Sequence, residues 1–400
     1  MTRTLHVASG NLFGGVETLL ISLARVDALR EPRRLEFALC FEGRLAAELR
    51  AHGAVVHMLG PVRASRPLSV WRARRRLRGL LAAREVDAVV CHAPWAQALL
   101  ARPALDAGVP EVYFAHAPAA GRHWLERMAR RARPAAAVAN SAFTASTLDV
   151  LYPGVSRECV YPPVWPPPAD AGARRDAMRA DLGASERTVV VLQVSRMEEW
   201  KGQRRLLAAL ASLASLGADA DWQYWLSGGA QTAAEQHYER ELRALAERLA
   251  IGSRVRFLGQ RSDVPALLAA ADVFCQPNAA PEPFGIALVE ALYAALPAVT
   301  TAFGGAAEIV TPECGVLVAP GDDAALAAAL RDMVMDAGAR TRLGSAGPAR
   351  AMAISDPVTQ ASRLEAAVAI AAERAAATGI RPTSARRGAP AVAGAGERLL

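Results

Sequence analysis

The chain has 400 residues, 52% of them hydrophobic and 21% charged. That is roughly two to three typical domain lengths with material for large cores, which excludes a disordered chain, a collagen and a disulfide-rich miniprotein. The net charge of +7 is uneven: residues 1–165 hold 22 Arg against 13 acids, and the rest holds 24 basic residues against 26 acids.

In chain order, Thr4–Ser9 reads as a short strand, Gly14-Gly15 as a breaker, and Val16–Arg25 as a helix by its apolar spacing. Glu36–Phe41 is a strand, Leu45–His52 a helix and Val55–Leu59 a strand. Trp71–Arg84 is a helix with a densely basic face, Val86–Cys91 a buried strand, and Val112–Ala115 and Ala136–Ala139 continue the alternation. Tyr161-Pro-Pro-Val-Trp-Pro-Pro-Pro168 is extended and semi-rigid, and marks a domain boundary. The alternation restarts with strands at Thr188–Val194, Trp222–Leu226, Val255–Leu258, Val273–Gln276, Pro297–Thr301 and Gly315–Val318. Helices are expected at Gln203–Ser215, Gln236–Leu249 and Phe284–Ala295. Such alternation gives a parallel sheet covered on both faces. The expected architecture is α/β: two Rossmann-like domains facing across a cleft, residues 1–165 and 166–355. A terminal amphipathic helix at 356–376 and a disordered tail at 379–400 complete it.

No run of about 18 apolar residues occurs, so no membrane-spanning helix is expected. The N-terminus turns polar too early for a secretory signal. Five cysteines without a CxxC pattern point to a reducing, cytoplasmic setting.

Of 46 basic residues, 45 are arginine; the one lysine is Lys201, in Val194-Ser-Arg-Met-Glu-Glu-Trp-Lys-Gly-Gln203. Arg196 and Lys201 follow a strand and precede a helix, at the edge where open α/β sheets bind ligands and helix N-termini favour anions. Two cations five residues apart suit a diphosphate; the alternative is a pair of surface cations. In Pro281-Glu-Pro-Phe-Gly-Ile-Ala-Leu-Val-Glu290, Glu282 lies on a loop and Glu290 within an apolar helix. A buried carboxylate needs partners, either ligand hydroxyls or an arginine. Phe303-Gly-Gly-Ala-Ala-Glu-Ile-Val310 and Gly228-Gly229 permit close backbone approach. No GxGxxG occurs, which weighs against a nicotinamide or flavin enzyme.

Gly-Gly-Val-Glu (14–17), Ser-Arg-x4-Lys-Gly (195–202), Glu-Pro-Phe-Gly with Glu290, Gly-Gly-x2-Glu-Ile-Val (304–310) and Gly-Val-Leu-Val-x-Pro-Gly-Asp (315–322) follow in that order. The chain so resembles the retaining nucleotide-sugar-dependent glycosyltransferases of family 4, of GT-B fold, over about residues 4–376. The resemblance implies that Glu290 binds the nucleotide ribose, and that Glu282 approaches the transferred sugar. Arg196 and Lys201 would hold the diphosphate and stabilise the charge it gains on leaving. Amides at Phe284, Gly285, Ile286, Ala287, Gly14 and Gly15 would complete the donor cradle. The nucleotide-diphosphate sugar is then a co-substrate; no cofactor or metal is required, and the acceptor is open. The terminal helix would return to the first domain. Same-fold alternatives are a nucleotide-sugar 2-epimerase and a non-catalytic sugar-nucleotide-binding protein.

His116 follows a strand and His92 stands one strand earlier. The resemblance implies a first-domain histidine near the reacting sugar and makes His116 the match, against a satisfied structural histidine. The clusters Arg72–Arg78 and Arg122–Arg133 fit an anionic membrane surface, where lipid-linked acceptors reside, or solvated helix faces. No nucleic-acid module accompanies them, so nucleic acid is not an expected partner.

Overall fold

The computed structural model describes residues 2–11, 14–213 and 220–377. The tail expected at 379–400 lies outside the described residues. The chain divides into two compact units. The first takes in the chain to Ala139, Thr147–Glu158 and the chain from Ser362; the second takes in Asn140–Ser146 and Cys159–Ala361.

The first unit holds β1 (Thr4–Ala8), β2 (Leu35–Leu39), β3 (Val55–Met58), β4 (Ala88–His92), β5 (Glu111–Ala115), β6 (Ala136–Ala139) and β7 (Arg157–Cys159), in the order β3-β2-β1-β4-β5-β6-β7. The second holds β8 (Val189–Val194), β9 (Trp222–Ser227), β10 (Val255–Gly259), β11 (Val273–Gln276), β12 (Ala298–Thr301) and β13 (Gly315–Val318), in the order β10-β9-β8-β11-β12-β13. β1 to β6 pair in parallel, as do β8 to β13. Strands β1, β4, β5, β9 and β11 are buried at every position, the mark of parallel strands covered on both faces. Both sheets reverse their strand order beside the first strand, at β1/β4 and at β8/β11. Such a switch point opens a ligand crevice at the strands' carboxyl ends.

The domain boundary differs from the sequence reading. The proline-rich segment is not a free linker at 165/166, because its apolar residues are used in the second unit's core. Val164 is buried and donates its N–H to Ser355 O at 3.0 Å, and Tyr161 stacks on Phe284 with centroids 5.5 Å apart. The last helix, Pro357–Ala377, starts in the second unit and from Ser362 belongs to the first, rather than changing at 355/356. There Glu365 pairs with Arg30 and Arg34, and Arg374 donates to Ser156 Oγ at 2.8 Å.

Not every arginine is a surface charge. Arg179 is 5% exposed and donates to Ala270 O, Ser185 O, Thr188 O and the Asp272 carboxylate. Asp272 in turn accepts from Arg175 and from the N–H of Val190 in β8. This network joins the helix Arg175–Asp181 to the central strand. Arg179→Ala should lower the unfolding free energy by about 3 kcal/mol, as for one side of a broken buried ion pair. Urea unfolding measures this; a loss well under 1 kcal/mol would contradict the network's role.

Candidate functional site

The carboxyl ends of β8 and β11 bring four sequence-predicted residues to one edge of the second unit. Arg196 lies two residues beyond β8, and Lys201 ends a single 3₁₀ turn, Glu199–Lys201. Gly202 follows with φ +76°, where a Cβ would come within 2.0 Å of Pro277 O, so only glycine allows the turn to close on the β11 loop. Gln203 opens the next helix, and its side-chain amide donates to Arg196 O at 2.8 Å. Gln193 Nε2 donates to Lys201 O at 2.9 Å while its Oε1 accepts from Tyr224 Oη at 2.7 Å. The lysine's backbone is therefore fixed from β8 and β9.

Opposite it, β11 runs into the loop that carries Glu282. One oxygen of that carboxylate, Oε2, accepts from Lys201 Nζ at 2.8 Å, Gln276 Nε2 at 2.8 Å and Asn278 Nδ2 at 2.7 Å. Glu282 is 6% exposed, and Lys201 Nζ also lies 3.9 Å from the centroid of the Trp200 ring. The backbone of Glu282 is held as firmly: its N–H donates to Phe303 O, and its C=O accepts from Gly305 N at 2.7 Å. Gly304, at φ +72°, has no room for a Cβ, which would stand 2.3 Å from Glu282 O. The close approach seen at this double glycine is to the chain's own Glu282 loop. In the same motif, Glu308 accepts from the N–H groups of Ala142 and Phe143 at 2.9 and 2.8 Å and from Tyr161 Oη at 3.0 Å, a structural cap.

The helix expected at Phe284–Ala295 runs over Ile286–Tyr293. Phe284 precedes it, buried against Tyr161, so it gives the head of the helix no side-chain contact with solvent. Gly285, Ile286 and Ala287 stand at that head, where backbone N–H groups have no intrahelical acceptor. Glu290 sits on the same helix. Among the described residues none hydrogen-bonds or ion-pairs with its carboxylate, so the arginine-paired alternative is not realised. It is half-buried, and protein packs around it densely enough that burial pushes its pKa up to about 7.

Arg196 is paired: its guanidinium meets Glu235 and, at 3.3 Å, Glu198, while its buried Nε has no protein partner. Burial alone would raise the Glu235 carboxyl, but the Gln231 N–H, Arg196 and the Thr232 N–H hold it below the usual carboxylate range. Gln193, Gln276, Asn278 and Glu235 went unread in the sequence. Thr232-x-x-Glu235 is a legible capping box, and Gln276 closes a recognised strand, but neither pattern announces a partner far along the chain.

Gly14, Gly15 and His116 lie in the first unit. Gly14 caps the helix Gly15–Asp27, and its N–H is taken by Glu17 Oε2 at 3.0 Å, so the Gly-Gly-Val-Glu motif begins as a helix cap. Gly15 heads the helix. His116 lies just beyond β5, in hydrogen-bond reach of His92. No group of three or more histidine, cysteine or acidic side chains among the described residues is arranged to hold a metal.

The raised pKa of Glu290 has a consequence for stability. The folded chain holds this proton more tightly than the unfolded one, so ionisation costs stability increasingly as pH rises from about 4.5 through about 7. A glutamine carries no such cost. Glu290→Gln should therefore match the parent's thermal midpoint near pH 4.5 and exceed it at pH 8, without ligand. An offset independent of pH would contradict the burial argument.

Residues 13–169 match the model of Glycosyltransferase Family 4, and residues 174–350 that of Glycosyl transferases group 1. Among curated relatives, the GDP-mannose-dependent monoacylated alpha-(1-6)-phosphatidylinositol monomannoside mannosyltransferase of Corynebacterium glutamicum is 32% identical over 183 residues, 44% of this chain and 45% of that protein. The lipopolysaccharide glucosyltransferase WaaG of Escherichia coli is 37% identical over 146 residues, 36% of this chain and 37% of that one. The aligned part thus spans about half or less of the length of these relatives. The Anabaena protein HepE, solved with UDP-glucose, is 26% identical with a TM-score of 0.79, over 92% of this chain and 100% of that one. Its likeness agrees with two Rossmann-like units of GT-B type. The two family matches together run from residue 13 to residue 350, so over most of its length the chain is similar to glycosyltransferases.

Proposed function

We propose that the chain transfers a hexose-type sugar from a nucleotide-diphosphate sugar to an acceptor, with retention at the anomeric carbon. The second unit would be the donor domain and the first the acceptor side. The observation that carries this reading is the cluster at the β8/β11 switch point, where the single lysine of the chain meets a buried carboxylate set in a rigid backbone. Breaking a sugar–phosphate bond builds negative charge on the diphosphate, and fixed cations stabilise it as it forms. Lys201 and Arg196 take that role here, without a metal or other cofactor. Both already neutralise carboxylates, so an incoming diphosphate would share them with Glu282 and Glu235.

Glu290 is read as the ribose ligand, since an accessible carboxylate without a protein acceptor role accepts hydroxyl hydrogen bonds. Glu282 is read as the group nearest the reacting sugar. The helix-head amides of Gly285, Ile286 and Ala287, with that of Gly15, are assigned to the donor's phosphates, and His116 to the transferred sugar. UDP and UDP-glucose in the HepE complexes support a nucleotide-sugar donor. The Gly-Gly-Val-Glu and Ser-Arg-x4-Lys-Gly motifs and the matches to glycosyltransferase families favour transfer over the epimerase reading, and the intact set of Glu282, Lys201 and Glu290 weighs against a non-catalytic one.

Lys201→Ala and Arg196→Ala should each reduce turnover at saturating donor by roughly ten- to a hundredfold, the range for one lost charge-assisted hydrogen bond. The assay is product formation followed by NMR, which also reads the anomeric configuration. Near-normal turnover in both variants, or an inverted product, would overturn the reading.

The acceptor side carries a second proposal, peripheral contact with an anionic membrane from the cytoplasm. No helix among the described residues is long and apolar enough to cross a membrane. The helix Pro67–Ala83, however, exposes Leu68 and Trp71 beside Arg72, Arg75, Arg76 and Arg78. An aromatic anchor among cations suits a headgroup layer better than a nucleic-acid groove. Cosedimentation with vesicles containing phosphatidylserine should fall with added salt and with Trp71→Ala. Equal binding to neutral vesicles would contradict it.

A further inference from the structure

Glu282 uses only one of its two oxygens on protein. Oε2 accepts from Lys201 Nζ at 2.8 Å, Gln276 Nε2 at 2.8 Å and Asn278 Nδ2 at 2.7 Å. A carboxylate oxygen offers about two lone-pair sites, so three donors more than fill it. Oε1 takes no hydrogen bond among the described residues and is not one of their buried unpartnered atoms. It is therefore the oxygen left in reach of solvent.

The three donors differ in how firmly they are held. Lys201 carries its charge on a flexible stem, and among the described residues its ammonium gives one of its three N–H groups to a hydrogen bond with protein. The two amides are buried, at the end of β11 and on the loop just beyond it. Gln276 O accepts from Thr300 Oγ1 of β12 at 2.8 Å and from the Asn278 N–H at 3.1 Å, which pins both backbones. An ionised carboxylate only accepts, so Asn278 must present its NH₂ side, and its Oδ1 is buried without a partner. An unpaired buried acceptor destabilises a fold, so a cluster that served folding alone gains nothing by carrying one.

We propose that Gln276 and Asn278 are positioning residues that clamp Oε2, so that Oε1 stays turned to one hydroxyl of the transferred sugar while Lys201 is drawn to the diphosphate. The last torsion of a glutamate is broad, and rotation about it would exchange the two oxygens and move the acceptor. The ammonium cannot prevent this at the moment of reaction, because the leaving group then shares it. Fixed amides can. A clamped Oε1 only accepts, so it selects a sugar with a free hydroxyl at that point over one that lacks it. The proposal rests on the reading of Glu282 as the group nearest the reacting sugar.

The test compares the full chain with Gln276→Met, which is close to isosteric but lacks a donor, with Asn278→Ala, and with both combined. In a crystal structure of the combined variant without donor, the Glu282 carboxylate should turn about its last torsion. An unmoved carboxylate would overturn the clamp. Turnover is followed with UDP-glucose or GDP-mannose, whichever the chain uses, and with the monodeoxy analogues of that donor. Each single variant should lose turnover by about tenfold, as for a slightly misplaced catalytic group, with the donor's Kd unmoved. One monodeoxy donor should cost the parent chain roughly ten- to a hundredfold, as for one hydrogen bond lost from a charged group, and that cost should shrink in both variants. Damage to the fold alone would slow every donor equally, so a penalty of the same size in parent and variants would overturn the positioning role. Full turnover in Glu282→Gln would instead overturn the reading of Glu282, a result distinct from the crystal structure.

Discussion

One oxygen of Glu282 organises the functional edge of the second unit. It collects hydrogen bonds from Lys201, which arrives on the loop after β8, and from Gln276 and Asn278 at the end of β11. The two loops are also joined through their backbones, with Ala279 N–H donating to Trp200 O at 2.8 Å. A charge 6% exposed is tolerable only when so completely partnered. The geometry is therefore fixed before any ligand arrives, which is the condition for electrostatic stabilisation of a leaving diphosphate. The glycines and the Glu308 cap serve that fixity: Gly202 and Gly304 let backbone close on backbone, and Glu308 ties the neighbouring loop to Ala142 and Phe143.

The two units repeat one topology with different chemistry at the switch point. In the second, β8 and β11 end in a carboxylate, a lysine and an arginine. In the first, β1 and β4 carry neutral imidazoles in hydrogen-bonded series. Charged groups suit a phosphate-bearing donor, and neutral donors and acceptors suit hydroxyls. A contrast of this kind on a repeated scaffold accords with the proposed division into donor and acceptor sides. Fold alone would not supply it.

Much of this was legible in the sequence because parallel strands leave dense apolar runs. Ala136–Ala139, Val273–Gln276 and Gly315–Val318 were read with their observed bounds. The helices Asp323–Met335 and Ala337–Ser355 were not read, since alanine all round gives no apolar stripe, and Gly344, Gly347 and Pro348 look like breakers. In the fold Gly344 and Gly347 instead let that helix press on the backbone of Ala295 and Leu292. At the site, charged residues in motifs were found, whereas Gln276, Asn278 and Glu235 were not: a polar residue at a strand end carries no trace of a partner on another loop. The row His6–His92–His116 escaped for the same reason. Only strand order and register bring positions 6, 92 and 116 into line.

The measurement closest to the central claim is a crystal structure of the full chain grown with a nucleotide-diphosphate sugar. The account predicts the diphosphate within hydrogen-bond distance of Lys201 and the helix-head amides at Gly285–Ala287, with ribose hydroxyls on Glu290. A donor bound elsewhere on the second unit, with Lys201 and Glu290 untouched, would contradict it.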